Sequence, residues 1–306
     1  MKCIFSVDVE DWFHILDVPS TPPLSQWDSL PSRVSVNFLR LLDIFSEFEV
    51  STTCFFLGWV GERFPDLVKE ARKRGHEIAC HGYAHRVIQE LTEAEFTEDI
   101  RKAKAILEDV SGNPVAGYRA AGFSATKAAP WFFPSLRSVG YEYDSSVFPA
   151  ACEHGGVRNG PYGSYLVHTR YGTIREFPVT VARLLGQPLC VFGGGHLRVA
   201  PMFLVEAMMR RVLRDGRAPI CYIHPREIDP AHPRLPMGMR RRFKSYVNLD
   251  TTEAKVRRLL KEFEFTTFRE HLALHAAETQ MTDDSSVDSR SPAREANKPA
   301  GAGVGA

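Results

Sequence analysis

Two histidines four residues apart, together with a cluster of carboxylates, are the residues of this chain best suited to chemistry. His81 and His85 stand in the sequence Cys-His-Gly-Tyr-Ala-His. On a helical turn, positions i and i+4 lie on one face, so both imidazoles can approach a single cation. Neutral imidazole nitrogens are common ligands of divalent metal ions. The pair therefore predicts a metal site.

A second cluster of ionisable residues lies near the N-terminus. Residues 4–7 have the pattern of a short buried strand, which runs directly into Asp8, Glu10 and Asp11. Carboxylates this close raise one another's pKa unless a cation or a hydrogen-bond donor neutralises them. A cation held by the two histidines would provide that neutralisation. We therefore expect the two clusters to meet in the fold.

The composition is that of a globular enzyme and excludes several other classes of protein. With 306 residues and 44% hydrophobic content, the chain can form one large α/β domain or two small ones. Its 38 basic and 37 acidic residues give a formal net charge of +1, so nucleic acid is not an expected partner. The first strand begins without room for a signal peptide, and no apolar run reaches the roughly eighteen residues of a transmembrane helix. We expect a cytoplasmic protein.

Strand-like and helix-like segments alternate along most of the chain, which predicts an α/β fold with a largely parallel sheet. Residues 52–56 form one predicted strand, and residues 201–214 form one predicted helix. Thr92 with Glu95 three residues later is typical of a capping box at the start of a long helix. These elements must position the histidines and carboxylates.

The domain organisation follows from changes in composition. Residues 1–276 are predicted to form the folded domain, with a helical segment over about residues 250–276. From about residue 155 to 200, glycine-punctuated short strands predict a β-rich insertion. Residues 277–306 are rich in Ser, Asp, Pro, Gly and Ala with few large apolar side chains, so we predict a disordered tail.

The ordered motifs of this chain resemble those of the NodB-type polysaccharide deacetylases of carbohydrate esterase family four, over roughly residues 3–270. The residues in these motifs are most similar to those of a subgroup found with exopolysaccharide and protein-sorting gene clusters. That subgroup itself resembles peptidoglycan deacetylases and allantoinase-like members. The resemblance implies a distorted (β/α) barrel. The segments that carry it are, in order, Ser6–Asp11, His81–His85, Arg119–Phe123, Tyr143–Ser146 and Tyr222–Pro225.

The resemblance also implies a metal site with one divalent ion, expected to be zinc, on His81, His85 and a carboxylate. The family's adjacent Asp-Asp is replaced here by Asp-Val-Glu-Asp, so the third ligand stays open between Glu10 and Asp11. Along a strand, Glu10 shares a face with Asp8, whereas Asp11 needs a bulge or a turn to reach that face. We favour Glu10, with Asp11 as the alternative.

The same resemblance assigns roles in catalysis. Asp8 is the expected general base, and His224 at a strand exit is the expected general acid for the departing nitrogen. Arg119 and Asp144 are expected to form an ion pair that keeps Asp8 ionised and oriented. We also expect aromatic side chains to stack on the sugar, and the candidates are Phe123, Tyr83 and Trp12.

These roles predict a hydrolase that removes an N-acetyl group from an amino sugar of a polysaccharide or glycan precursor and releases acetate. The expected partner is a glycan or a lipid-linked glycan, and the sequence leaves a homo-oligomer open. Two alternatives remain: a hydrolase of a cyclic imide or ureide, like allantoinase, and a sugar-binding protein on the same fold without turnover. The combination of Asp8, the two histidines and His224 argues against the second, because a binding module needs no proton donor opposite a metal.

Overall fold

A largely parallel sheet organises the part of the chain that the computed structural model describes, namely residues 1–150, 155–157, 160–184 and 186–274. Its strands are β1 Cys3–Val9, β2 Thr53–Phe56, β3 Glu77–Cys80, β4 Gly117–Tyr118, β5 Tyr143–Asp144, β6 Tyr165–Thr169, β7 Gly172–Glu176, β10 Ile220–Ile223 and β11 Phe265–Thr266. A separate antiparallel pair consists of β8 Ala182–Leu184 and β9 Gln187–Leu189. The helices are α1 Val34–Glu47, α2 Gly58–Arg63, α3 Pro65–Lys73, α4 Glu93–Ser111, α5 Phe132–Val139, α6 Gly194–Val199, α7 Met202–Arg214, α8 Met239–Tyr246 and α9 Leu249–Glu262.

The order of the strands brings the predicted site residues to one edge of the sheet. The order is β10-β1-β2-β3-β4-β5-β7-β6, with β11 paired to the start of β1. Pairing is parallel from β10 to β7, and only β6 and β7 in this sheet are antiparallel. Parallel strands end at the same edge, so the residues at the carboxyl ends of β1, β3, β4, β5 and β10 converge there.

Helix positions follow from local sequence signals. Thr92 and Glu95 form the expected capping box, and α4 ends at Gly112, whose φ of 67° is left-handed. In α1 the side chains Phe38, Leu41 and Phe45 are fully buried and pack in the core beneath the sheet. Their spacing places one apolar stripe against the core.

The predicted α/β fold with a largely parallel sheet is confirmed. The segment predicted to be β-rich contains β6 to β9, although Gly194–Val199 at its end is the helix α6. The C-terminal segment predicted as helical is interrupted, because β11 follows α9 and pairs with β1. Residues 269–274, the described part of a second compact unit, are helical. The predicted tail, 277–306, lies outside the described residues.

None of the helices in the described ranges has an apolar stretch long enough to cross a bilayer.

The close contact of β4 with β5 depends on a glycine. A Cβ atom added at Gly117 would lie 2.1 Å from Cζ of Tyr143. The Tyr143 ring cannot retreat easily, because it is fully buried, stacks on Phe268 and donates a hydrogen bond to Glu77 Oε1 at 2.8 Å. Arg119 follows β4 directly, so this contact also fixes where the site begins.

We predict that Gly117→Ala lowers the free energy of unfolding by about 1–3 kcal/mol, the usual range for overpacking a core. The matched control is Gly163→Ala, where the nearest atom to an added Cβ is Arg217 Cδ at 3.7 Å. Urea unfolding of both variants measures the difference. Equal midpoints for the two variants would contradict the packing argument.

Candidate metal centre and active site

Glu10, His81 and His85 form a buried group whose ligand atoms all lie within 4.8 Å of one another. His85 Nε2 lies 2.8 Å from Glu10 Oε2. The geometry is not that of a hydrogen bond, however, and Glu10 Oε2 is a buried oxygen with no hydrogen-bond partner among the described residues. A buried carboxylate oxygen that faces imidazole nitrogens and has no hydrogen-bond partner fits a shared cation. These three residues can therefore hold a divalent metal ion.

A loop, rather than the predicted helical turn, brings the two histidines together. His81 follows β3 directly, and the chain then turns through Gly82 and His85, whose φ angles are 77° and 52°. Asp99 supports this loop by accepting a hydrogen bond from the backbone N–H of Tyr83 at 2.7 Å. The i, i+4 spacing thus predicted correctly that the two histidines lie close together, but it did not predict the backbone conformation of the loop that joins them.

The protonation of His81 suits a metal ligand. Its Nδ1 lies 2.8 Å from the carbonyl oxygen of Arg119, so Nδ1–H donates to that carbonyl and the lone pair of Nε2 remains available. Burial lowers the pKa of His81 to about 4, against a smaller opposing effect of Asp8. The ring is therefore neutral at neutral pH, which is the ligand form of imidazole.

The carboxylate of Glu10 remains charged although it is buried. Burial alone would raise the pKa of Glu10, but His85, His224 and Arg226 are close enough to hold it well below its usual value. Arg226 Nε lies 3.6 Å from Glu10 Oε1. The site thus compensates the charge of Glu10 from several directions.

Asp11 does not join this group, so the alternative third ligand is not supported. Its carboxylate accepts hydrogen bonds from Ser32 Oγ at 2.5 Å and from the backbone N–H groups of Trp12, Arg33 and Val34. Asp11 thereby caps the short helix that follows it and anchors the start of α1. With its oxygens committed to these donors, Asp11 has a structural role.

Asp8 is held by a buried ion pair with Arg119. Arg119 Nη1 donates to Asp8 Oδ1 at 2.6 Å and to Ser6 Oγ at 2.9 Å. The guanidinium also lies over the Phe55 ring, with its carbon 4.0 Å from the ring centroid. Only 1% of Arg119 is exposed, so the pair is shielded from water and fixed in position. Asp8 Oδ2 faces His224 Nε2 at 3.8 Å.

The predicted ion pair between Arg119 and Asp144 is wrong. Asp144 instead lies beside Glu176 on the neighbouring strand β7, and burial raises the pKa of Asp144 to about 6 and that of Glu176 well above its usual value. Asp144 also accepts from Ser146 Oγ at 2.5 Å, and Ser146 Oγ accepts from the backbone N–H of Ala120 at 2.8 Å. Asp144 therefore orients the backbone after Arg119, while Arg119 itself pairs with Asp8.

His224 follows β10 and lies between two sets of carboxylates. Its Nε2 lies 3.6 Å from Glu10 Oε1, and its Nδ1 lies 2.9 Å from Glu227 Oε2. Burial alone would lower the pKa of His224, but the charges of Glu10 and Glu227 outweigh it and raise the pKa above its usual value. These carboxylates favour the protonated form of His224, and its Nε2 faces Glu10 and Asp8 in the cleft.

Glu227 is a functional residue that the sequence analysis missed. It accepts from both the backbone N–H and the side chain of His224, and Arg198 Nε donates to its other oxygen at 2.9 Å. Arg198 and His224 lower the pKa of Glu227 to about 2 in spite of burial. The spacing of three residues in His-Pro-Arg-Glu, typical of a capping box, was the available signal.

The candidate residues face one cleft of about 360 Å³, a size suited to a small ligand or one unit of a larger one. Asp8, His224 and the Glu10–His81–His85 group line it. His14 also lines it: Nδ1 of His14 accepts from the backbone N–H of Asp11 at 3.0 Å, so the proton is on the buried Nε2. No metal-binding or catalytic role was predicted for His14 from the sequence.

Of the three aromatic candidates for sugar stacking, Phe123 lies at the cleft and the others do not. Phe123 packs edge-on against Tyr222, with 4.8 Å between ring centroids. Trp12 is buried in the core and donates to the Pro31 carbonyl at 3.0 Å. Tyr83 lines a different surface pocket, where its hydroxyl donates to Glu62 at 2.6 Å. Trp12 and Tyr83 were predicted to stack on the sugar, but the structure places both side chains outside the cleft, in structural positions.

Two family models match this chain. A polysaccharide deacetylase family model matches residues 24–143, and a domain of unknown function, DUF3473, matches residues 145–273. A peptidoglycan deacetylase of Helicobacter pylori is 28% identical over 118 residues, which are 37% of this chain and 37% of that protein. The alignments span less than half of each of the curated relatives.

Two solved structures share the fold. A putative polysaccharide deacetylase from Mycobacterium smegmatis has a TM-score of 0.60 at 19% identity, covering 91% of this chain and 90% of that one. The allantoinase PuuE has a TM-score of 0.55 at 17% identity, covering 88% and 87%. The expected barrel-like deacetylase fold is confirmed by these matches.

We predict that metal-free protein binds one zinc ion per chain, as measured by titration calorimetry. His81→Ala, His85→Ala and Glu10→Gln should each weaken zinc binding by more than the roughly 10- to 100-fold expected for loss of an outer hydrogen-bond partner. Each removes a ligand atom of the group described above.

Asp11→Asn is the matched control for Glu10→Gln. It should retain wild-type zinc affinity while lowering the free energy of unfolding by about 1–3 kcal/mol, because it weakens a buried cap. The assignment is overturned if Asp11→Asn loses zinc and Glu10→Gln retains it.

Proposed function

We propose, from the match of residues 24–143 to a polysaccharide deacetylase family model, that the chain is a metal-dependent hydrolase that removes N-acetyl groups from an amino sugar of a glycan. The observation that carries the proposal is the convergence in one cleft of the Glu10–His81–His85 group, Asp8 and His224. A metal site alone would suit a binding protein. A buried base with a partly exposed acid beside it suits hydrolysis.

The proposed ion is zinc, because two imidazoles and one carboxylate match its preferences. When bound, it would supply Lewis acidity towards the acetyl carbonyl and make water more acidic. Glu10, His81 and His85 would hold it.

The remaining steps belong to the side chains. Asp8 accepts the proton of the attacking water, and the ion pair with Arg119 fixes the carboxylate while it does so. As the C–N bond breaks, the nitrogen needs a proton, because an amide anion is a very poor leaving group. His224 donates that proton from Nε2, which lies 3.8 Å from Asp8 Oδ2 on the cleft side. The products are acetate and a free amino sugar.

The proposed substrate is a polysaccharide or a glycan precursor, and the precursor can be a lipid-linked glycan. The cleft volume of about 360 Å³ and the Phe123 ring at its wall support recognition of one sugar unit. We also propose action in the cytoplasm. The resemblance described for the sequence further supports a role in exopolysaccharide biosynthesis.

The proposal is tested by acetate release from N-acetylated oligosaccharides, with allantoin as a parallel substrate. Wild-type protein with zinc should release acetate and leave allantoin intact. Asp8→Asn should bind zinc normally and release acetate at least about 100-fold more slowly, the usual contribution of a general base. Asp66→Asn, on the exposed face of α3, is the matched control and should behave as wild type.

Two outcomes select the alternatives. Hydrolysis of allantoin without acetate release would favour the cyclic ureide hydrolase. Binding of the oligosaccharides with no turnover in any metal-loaded sample would favour the non-catalytic protein.

The pH dependence tests the role of His224. Because the imidazolium is the acid, the rate should fall as pH rises through the raised pKa of His224. In Glu227→Gln one of the charges that raise this pKa is removed, so the alkaline limb of the pH–rate profile should move to lower pH. An exposed control, Glu98→Gln, should leave the limb in place. An unmoved limb in Glu227→Gln would remove His224 from this role.

A further inference from the structure

The helix α8 presents apolar side chains to solvent beside the cleft. Its sequence is Met-Arg-Arg-Arg-Phe-Lys-Ser-Tyr. Met239 is 88% exposed, the highest value among the large apolar side chains of the described residues, and Phe243 is 62% exposed. Positions 239 and 243 are four residues apart, so both side chains lie on one face of the helix.

The same helix concentrates positive charge. Residues 230–249 contain five Arg and Lys residues and no Asp or Glu, in a chain whose formal net charge is +1. Arg240 and Lys244 lie along one side of the Met239–Phe243 face, and Arg242 lies along the other side, as the helical period requires. All three of these cationic residues are exposed. The apolar face is thus flanked by cations on both sides.

This surface continues into the mouth of the cleft. Phe243 and Lys244 are exposed on α8, and both also line the cleft that contains the Glu10–His81–His85 group. Val199 at the end of α6 lines the same cleft and is 53% exposed. A partner seated on α8 would therefore lie directly at the entrance to the candidate site.

We propose that the α8 surface, made of Met239, Arg240, Arg242, Phe243 and Lys244, docks on an anionic phospholipid bilayer. Cations alone would fit any polyanion. Exposed apolar side chains between cations fit a partner with an anionic layer over an apolar one, which is the structure of a bilayer interface. Docking would turn the cleft towards lipid-attached molecules. The inference goes beyond the proposed deacetylation and does not depend on it.

Co-sedimentation of the full chain with vesicles tests the docking surface. The vesicles are phosphatidylglycerol with phosphatidylcholine, or phosphatidylcholine alone, each at low and at high salt. We expect binding to the anionic vesicles and not to the neutral ones, with weaker binding at high salt because the charges are screened.

Two double variants separate the apolar and the cationic contributions. Met239→Ser with Phe243→Ser, and Arg240→Gln with Arg242→Gln, should each reduce the partition coefficient roughly tenfold or more, since each cation and each buried apolar group contributes to interfacial binding. All four substituted side chains are exposed, so thermal unfolding should stay at the wild-type midpoint.

Matched control variants carry the same chemical changes elsewhere. Leu166→Ser with Tyr171→Ser removes two side chains that are about half exposed on β6 and its turn, and Lys69→Gln with Lys73→Gln removes two exposed cations from α3. Both should sediment with anionic vesicles as the wild type does.

Three results would overturn the proposal. They are no sedimentation of the wild type with anionic vesicles, loss of binding in the controls equal to that in the α8 variants, and full binding by the Met239→Ser, Phe243→Ser variant. The last result would indicate a purely anionic polymer as the partner. Vesicle binding is measured without metal or substrate, so its failure leaves the deacetylase proposal intact, and failure of acetate release leaves the docking surface intact.

Discussion

Two buried carboxylates at the end of β1 impose the main physical constraint on this structure. Asp8 and Glu10 are each only 2% exposed. Charges removed from water must be paired and hydrogen-bonded nearby, or they become protonated. The structure meets this demand by bringing positive groups from other strand ends to the same point.

The compensating groups explain why distant segments converge here. Arg119 from the end of β4 pairs with Asp8, whereas His85 from the loop after β3 and His224 after β10 face Glu10. The parallel order of the strands makes this convergence possible, because their carboxyl ends share one edge. Glu10 Oε2 is left without a hydrogen-bond partner among the described residues, and a divalent cation shared with His85 would satisfy it.

A second network links the acid to the surface. Glu227 holds His224, Arg198 holds Glu227, and Arg198 also donates to backbone carbonyls at the C-terminal end of α8. The position of His224 therefore depends on the packing of α8. The helix that we propose as a docking surface is also part of the support of the general acid.

The sequence predicted which residues meet better than it predicted how they are bonded. Strand ends are set by hydrophobic pattern, so the positions of Asp8, His81 and His224 at one sheet edge could be anticipated. Partner choice depends on side chains that meet only after folding. Arg119 pairs with Asp8. Asp144 lies beside Glu176 on the neighbouring strand β7, and no local sequence pattern indicates that these two residues meet.

Errors in the candidate site have similar causes. The loop of His81 and His85 adopts left-handed backbone at two positions instead of a helical turn, which the i, i+4 spacing alone does not distinguish. Trp12 was assigned to the cleft from residue type, but its indole is buried and bonded to Pro31. The capping role of Asp11 could have been predicted from the sequence, because an Asp before a short helix is a common N-cap.

We propose that Glu10, His81 and His85 hold the metal ion on which hydrolysis of an N-acetyl amide depends. The most direct measurement is stepwise addition of zinc to chelated protein, with bound zinc and acetate release from an N-acetylated oligosaccharide followed in the same samples. We expect bound zinc and acetate release to rise together and to level off at one zinc ion per chain. Acetate release at its full rate in metal-free protein, or one tightly bound zinc ion with no acetate release from any N-acetylated glycan, would contradict it.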